Sequence, residues 1–305
     1  MQDLHELPKL RDSLSYLYVE HAIVERKDAA VELVSEEGLI LVPVAALCVL
    51  MLGPGTSITH AAIRILAQNG CTILWTGEEM TNFYAQGTGE TRKAYHLLRQ
   101  AELVSIPENR SEVVKRMYLK RFNEKLEPSL TLPQVRGLEG VRVRRAYKEA
   151  SQTWGVKWEG RSYDRQNWDN ADPINRALSA ANALLNSLCH AGIVSGGYSP
   201  ALGFIHTGKQ LSFVYDIADL YKTEITIPVA FETTAKYPGK PEPYTRMACR
   251  EKFREKRLLE RILPDIDELL QISAEPPELD ELDSDPSIPT DLWEPLLAET
   301  DAGGV

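Results

Sequence analysis

Cysteine is scarce in this 305-residue chain, and its spacing excludes two classes at once. Cys48, Cys71, Cys189 and Cys249 stand 23, 118 and 60 residues apart with no CxxC or CxxH, so neither a zinc knuckle nor a disulfide framework is expected. Long hydrophobic runs are lacking too. The longest, Leu39 to Leu52, has 14 residues and holds Pro43, short of the roughly 20 needed to cross a bilayer. The first residues, MQDLHELPKL, show no basic stretch leading into an apolar one, so the expected compartment is the cytoplasm. Nucleotide and hydrolase motifs are missing as well: GTGETRK (87–93) lacks the P-loop spacing, no GxGxxG follows a strand, and no GxSxG nucleophile elbow exists. At 43% hydrophobic and 26% charged residues, the chain is neither collagen-like nor wholly disordered, and it can build one large core or two moderate ones.

The net charge of −10 conceals an uneven distribution. Residues 273–305 hold ten carboxylates and no Lys or Arg, which leaves 34 acidic and 34 basic residues in the body. Within that body, Arg110 to Arg165 carries 14 Lys/Arg against 7 Asp/Glu, and Lys240 to Arg261 carries 8 against 4. A polyanionic partner is therefore compatible with the acidic whole.

Patterning divides the chain in three. Strand signals at 14–19, 22–27, 30–35, 39–42, 47–52 and 72–76, interrupted by a helix at His60–Gln68, predict a β-rich, sandwich-like domain over residues 1–88. Helical periodicity then predicts a larger all-α domain over 89–272, so the fold class is α+β. Helices are expected at 111–126, 139–153, 175–193, 213–223, 244–262 and 264–271. That at 175–193 is apolar over most of its circumference, with Asp172 as cap and Pro173 in the first turn. Residues 273–305 form an acidic, Pro-rich tail expected to be disordered, in which Leu292, Trp293, Leu296 and Leu297 make a small apolar cluster suited to docking on a partner.

The densest polar signal lies in GFIHTGKQLSFVYDIADLYK (203–222). Asp216, Asp219 and Lys222 follow one another at three-residue spacing, so both carboxylates should face one way, with Ser212 free to cap the helix. Like charges so close need a cation between them. His206 sits on a glycine-flanked loop ten residues before Asp216, completing an oxygen and nitrogen set that suits Mn²⁺ or Mg²⁺; a solvated aspartate pair and a hydrogen-bonded loop histidine would explain the same residues. In RGLEGVRVRRAYKEASQTWG (136–155), Glu139 stands between Gly137 and Gly140 at the expected helix start, beside Arg142, Arg144, Arg145 and Lys148. In residues 153–168, Trp154, Trp158, Tyr163 and Trp168 alternate with Lys157, Arg161 and Arg165; two of the rings are expected in the core and Tyr163 or Trp168 on unpaired bases.

RGLEGVRVR, GFIHTGKQLSFVYDIADLYK, GPGTSITHAA (53–62) and RMACREKFR (246–254) together resemble CRISPR-associated protein 1, the adaptation integrase, in its subtype I-E form. The likeness runs in order from about residue 10 to residue 260. It implies a dimerising N-terminal domain and a helical catalytic domain that holds one Mg²⁺ or Mn²⁺ through Glu139, His206 and Asp219, with Asp216 also functionally important. By the same resemblance Lys209, Tyr215, Lys222, Arg246 and Arg250 line the DNA path, and Tyr163 and Trp168 handle the single-stranded end of a captured fragment. The chain departs from some relatives at Ser57, where they carry an arginine.

The implied reaction is a transesterification in which a 3′-hydroxyl of captured double-stranded DNA attacks a phosphate of the CRISPR repeat. The implied partners are a second copy of the chain and the small CRISPR-associated protein 2, with no membrane. A stand-alone structure-selective nuclease and a non-catalytic nucleic-acid scaffold are the competing readings.

Overall fold

Alternating strands before Gly87 build two four-stranded sheets in the computed structural model, which describes residues 16–80, 83–87, 94–122, 127, 130–161 and 172–272. The first sheet has the order β1 (Tyr16–Val19), β5 (Val49–Leu52), β7 (Thr72–Thr76), β8 (Phe83–Gly87). Its first three strands are parallel and β8 is antiparallel. The second runs β4 (Gly38–Pro43), β3 (Ala30–Ser35), β2 (Ala22–Lys27), β6 (Ser57–Ile58). Lys27 pairs with Ala30 across a two-residue turn in which Asp28 takes φ 52°, and that turn fixes the register of the whole hairpin. Helix α1 (His60–Gln68) is capped by Thr59, whose hydroxyl accepts from the Ala62 amide.

Period-two alternation assigns the two faces of β5 different jobs. Leu50 and Leu52 join Val19, Val24, Val31, Leu33 and Ile73, together with Ala62, Ile65 and Leu66 of α1, in the core of the strand region. Val49 and Met51 point the other way and pack with Leu74 against Ala191 of α5 (Pro173–Ser195). The sheet is thus wedged against the helical part by a second apolar layer.

The helical part comprises α2 (Tyr95–Ser105), α3 (Pro107–Phe122), α4 (Leu132–Trp154), α5, α6 (Ser212–Tyr221), α7 (Ile227–Lys236), α8 (Glu242–Glu255) and α9 (Leu258–Leu270). Helix α5 begins as its sequence indicates: the Asp172 carboxylate accepts from the Asn175 amide at 2.7 Å, and Pro173 fills the first turn. By length and composition α5 could cross a membrane, yet it lies inside the fold, with α6, α7, α8 and α9 packed around it.

Several boundaries differ from expectation. Helix α4 starts at Leu132, so Glu139 sits two turns inside it; Thr131 and Gln134 form a capping box and Pro133 occupies the first turn, which outweighs the stop signal of Gly137 and Gly140. The helix expected over 244–262 breaks at Arg257, which adopts φ 47°, and Pro264 falls within α9 rather than opening it. Ser212 caps no helix by its side chain: it is the first residue of α6, and its hydroxyl accepts from the Lys209 amide and donates to the Lys209 carbonyl. Helices α2 and α7 escape sequence reading. Between α6 and α7 the chain makes one wide π-helical turn, Lys222–Thr226, just before Pro228, whose nitrogen cannot donate to the preceding turn.

Candidate metal centre

The loop of residues 203–206 is held by hydrogen bonds to almost all of its backbone. The carboxylate of Asp216, only 1% exposed, accepts from three consecutive amides: Phe204 (2.6 Å) and Ile205 (3.0 Å) on Oδ2, and His206 (2.9 Å) on Oδ1. Oδ1 also receives the His206 ring at Nδ1, 2.7 Å away. From the other side Arg110 donates to the Phe204 carbonyl at 2.8 Å and Arg136 to the Ile205 carbonyl at 3.0 Å. Phe204 is fully buried, edge-on to Phe213, and anchors the loop in the core. Gly203 is required here, because a Cβ would lie 2.3 Å from the His206 carbonyl oxygen and 2.8 Å from Ser212.

This network settles the two aspartates differently from the sequence expectation. Asp216 and Asp219 meet different partners. Asp216 turns back to the loop, while Asp219 meets Lys222 at 2.5 Å through Oδ1 and Arg121 at 3.6 Å through Oδ2. The repulsion expected of the pair is relieved because Asp216 is hydrogen-bonded by three amides and an imidazole, while Asp219 is paired with Lys222 and Arg121.

Glu139 reaches the same place from α4, and its carboxylate forms a short ion pair with Arg121. Arg121, from the last turn of α3, therefore bridges Glu139 and Asp219. Glu139, Asp216, Asp219, Arg121 and Ile205 line one crevice. His206 lies close enough for its charge to act on both Glu139 and Asp219. Burial raises the Glu139 carboxyl above its ordinary range, against the opposing pull of Arg121. Burial also works to raise Asp219, but Lys222 and Arg121 outweigh it and hold that group below its ordinary value. The hydrogen bond to Asp216 raises His206.

Glu139, His206, Asp216 and Asp219, scattered over 81 positions, are thus brought together. Among the described residues no three His, Cys, Asp or Glu side chains stand at metal-holding distance, and the Arg121 guanidinium is paired with both Glu139 and Asp219. The donor chemistry fits a hard divalent cation nonetheless: two carboxylates already directed at one positive group, and an imidazole whose Nδ1 is tied to a carboxylate, leaving Nε2 as the donor atom.

Of the expected DNA-path residues, Tyr215 packs edge-on against the His206 ring at 5.8 Å and Lys209 is exposed on the same loop. Lys222 is engaged by Asp219. Arg246 and Arg250 are half-buried on successive turns of α8, which packs against the π-helical turn that follows Lys222. Trp158 stacks on Tyr147 at 4.5 Å and, with Trp154, belongs to the apolar cluster around Phe231, so two of the four rings are core. Tyr163, Trp168 and the apolar cluster of the tail lie outside the described residues. Sequence reading missed Arg121, Arg110 and Arg136. All three belong to the basic stretch from Arg110 to Arg165, and nothing in that run separates them from solvated neighbours.

The sequence profile of the family described as CRISPR associated protein Cas1 matches residues 115–248, a span that holds Arg121, Glu139, His206, Asp216 and Asp219. The chain is 56% identical over 302 residues to CRISPR-associated endonuclease Cas1 2 of Thermus thermophilus, covering 99% of this chain and 93% of the relative. It is 39% identical over 268 residues to CRISPR-associated endonuclease Cas1 of Escherichia coli K12, covering 88% of each. The crystal structure of a TtCas1–DNA complex has the same fold, with a TM-score of 0.77 at 58% identity over 88% of this chain and 100% of that one. This chain belongs to the Cas1 family of CRISPR-associated endonucleases.

Proposed function

We propose that the chain is a divalent-metal-dependent DNA integrase and endonuclease of CRISPR adaptation, of the subtype I-E form that its RGLEG, GFIHTGK and YDIAD blocks resemble. The observation that carries this reading is the meeting of those three blocks at one crevice, with the His206 ring fixed by Asp216 and the Glu139 and Asp219 carboxylates converging on one cation. Glu139, His206 and Asp219 would hold Mg²⁺ or Mn²⁺. When bound, such an ion polarises a phosphate and stabilises the charge that develops on it. Asp216 is a positioning residue: four donors saturate its two oxygens, so it orients the imidazole and the loop instead of ligating.

The reaction exchanges one phosphodiester for another, a 3′-hydroxyl attacking and a 3′-hydroxyl leaving, so it needs no ATP. Lys209, Tyr215, Lys222, Arg246 and Arg250, with Tyr163 and Trp168, serve the DNA path in this reading, and phosphate contacts by the cations make binding steeply salt-dependent. The protein acts in the cytoplasm as a homodimer joined to CRISPR-associated protein 2. The edge strand β4, with Leu39, Ile40 and Leu41 each more than half exposed, is consistent with self-association.

The test is incubation of a 3′-hydroxyl-ended duplex with a supercoiled repeat plasmid, with and without Mn²⁺, using wild type and Asp219→Ala. Relaxation of the plasmid should require both the metal and the aspartate. Joining that persists without either would overturn the assignment, and cutting of branched DNA at equal rates without the small partner would favour the stand-alone nuclease.

A further inference from the structure

We propose that Arg121 is the resident counter-ion of the Glu139 and Asp219 carboxylates, and that a divalent cation enters the centre by displacing it, so that this arginine sets the affinity for metal. The inference rests on the reading of the crevice as a metal centre. Its side chain is only 6% exposed, and one guanidinium nitrogen serves both acids, in contact with Glu139 and 3.6 Å from Asp219. A guanidinium cannot shed its proton to make room for a second cation. A dication bound to the same two carboxylates would sit against it, so the two occupants exclude each other.

The bridging state is incompletely satisfied. Arg121 Nε is buried without a hydrogen-bond partner among the described residues, a cost that favours release. Lys222 holds the other oxygen of Asp219 and is 22% exposed, so it can swing toward solvent without leaving a buried charge. Arg121 has another destination. Beside the crevice, sharing Arg121 and Leu220 with it, lies a polar pocket of about 400 Å³ lined also by Lys120, Tyr221, Glu224, Arg261 and Asp265. Glu224 and Asp265 are carboxylates already engaged by Lys256, Arg261 and Lys120, and they offer the withdrawn guanidinium a second acidic site. The side chain thus borders both chambers, and in this inference metal decides which one it occupies.

The experiment titrates Mn²⁺ into the full-length protein without DNA, by calorimetry and by the loss of free-ion EPR signal, for wild type, Arg121→Gln and Arg121→Lys. Arg121→Gln should bind Mn²⁺ about tenfold more tightly than wild type, with Arg121→Lys between them. Without metal, Arg121→Gln should melt below wild type, and Mn²⁺ should raise its Tm by the larger increment. An unchanged or weaker Mn²⁺ affinity in Arg121→Gln overturns the inference; if that variant does not fold, the same criterion applies to Arg121→Lys. A Mn²⁺-soaked crystal with the ion bound and Arg121 still bridging the two acids overturns it as well. Failure of wild type and variants alike to bind Mn²⁺ removes the metal reading along with it, whereas binding with equal constants removes the role of Arg121 alone.

Discussion

The strands and the helices bury different materials. Around β5 the interior is aliphatic, and among the described residues of that part only Thr72 and Thr76 are polar and buried. The helical interior admits Gln100, Asn175, Ser187, His190, Ser212, Asp216, Thr226, Thr233, Thr234 and Thr245. Most of these are at work. The Gln100 amide donates to the Ser199 and Leu202 carbonyls and accepts from the Ser199 amide, and Asp216 collects the amides of the loop that carries His206. Apolar burial stabilises without direction, whereas a buried hydrogen-bonded group holds one backbone course. The polar residues of the helical part therefore fix the loop between α5 and α6.

Substitutions on either side should separate these two kinds of burial. Asp216→Asn leaves an amide facing donors it cannot all accept; unfolding in urea should show a loss of about 4 kcal/mol, and strand transfer should fall with it because the His206 loop comes adrift. Leu50→Ala should cost a similar amount, about 3 kcal/mol, through a cavity in the strand core, yet activity per folded molecule should stay at the wild-type level. Equal damage to activity from both would erase the distinction.

His190 lies at the seam, its ring 3.8 Å from that of Phe83 on β8, and burial holds its imidazole down at about 4. The unfolded chain binds a proton near pH 6.5 that the fold refuses. Its contribution is therefore full above that pH and declines by roughly 3 kcal/mol as acidity increases through the lower value. Denaturation midpoints between pH 7 and pH 4 should show a shallower decline for His190→Leu than for wild type. The smallest expected effect is that of Gly203→Ala. Its Cβ collides with the His206 carbonyl, and a loss of about 2 kcal/mol with a greater loss of strand transfer should follow.

Much of this was legible in the residues themselves. Period-two patterns placed β2, β3 and β7 with their boundaries, and the Asp172–Pro173 signal marked the start of α5, because those cues are local. RGLEG, GFIHTGK and YDIAD supplied the acids and the imidazole. The resemblance set Asp219 apart from Asp216, but the partners of each were not readable, since three amides of the preceding loop and the side chain of Arg121 supply them. Helix α7 was hidden by its β-branched residues, Ile227, Val229, Thr233 and Thr234, which favour strands until packing against α5 overrides them.

The wide turn at Lys222–Thr226 has a geometric corollary. It adds one residue to a helical repeat, which advances the following helix by about 100°. Deleting a single residue there would restore ordinary winding while rotating α7 relative to Asp219. Either the acid or the Thr226 hydroxyl, now 3.0 Å from Asn182, would lose its bearing. The extra residue acts as a phase-setter, and its removal should uncouple two faces that a continuous helix could not present together.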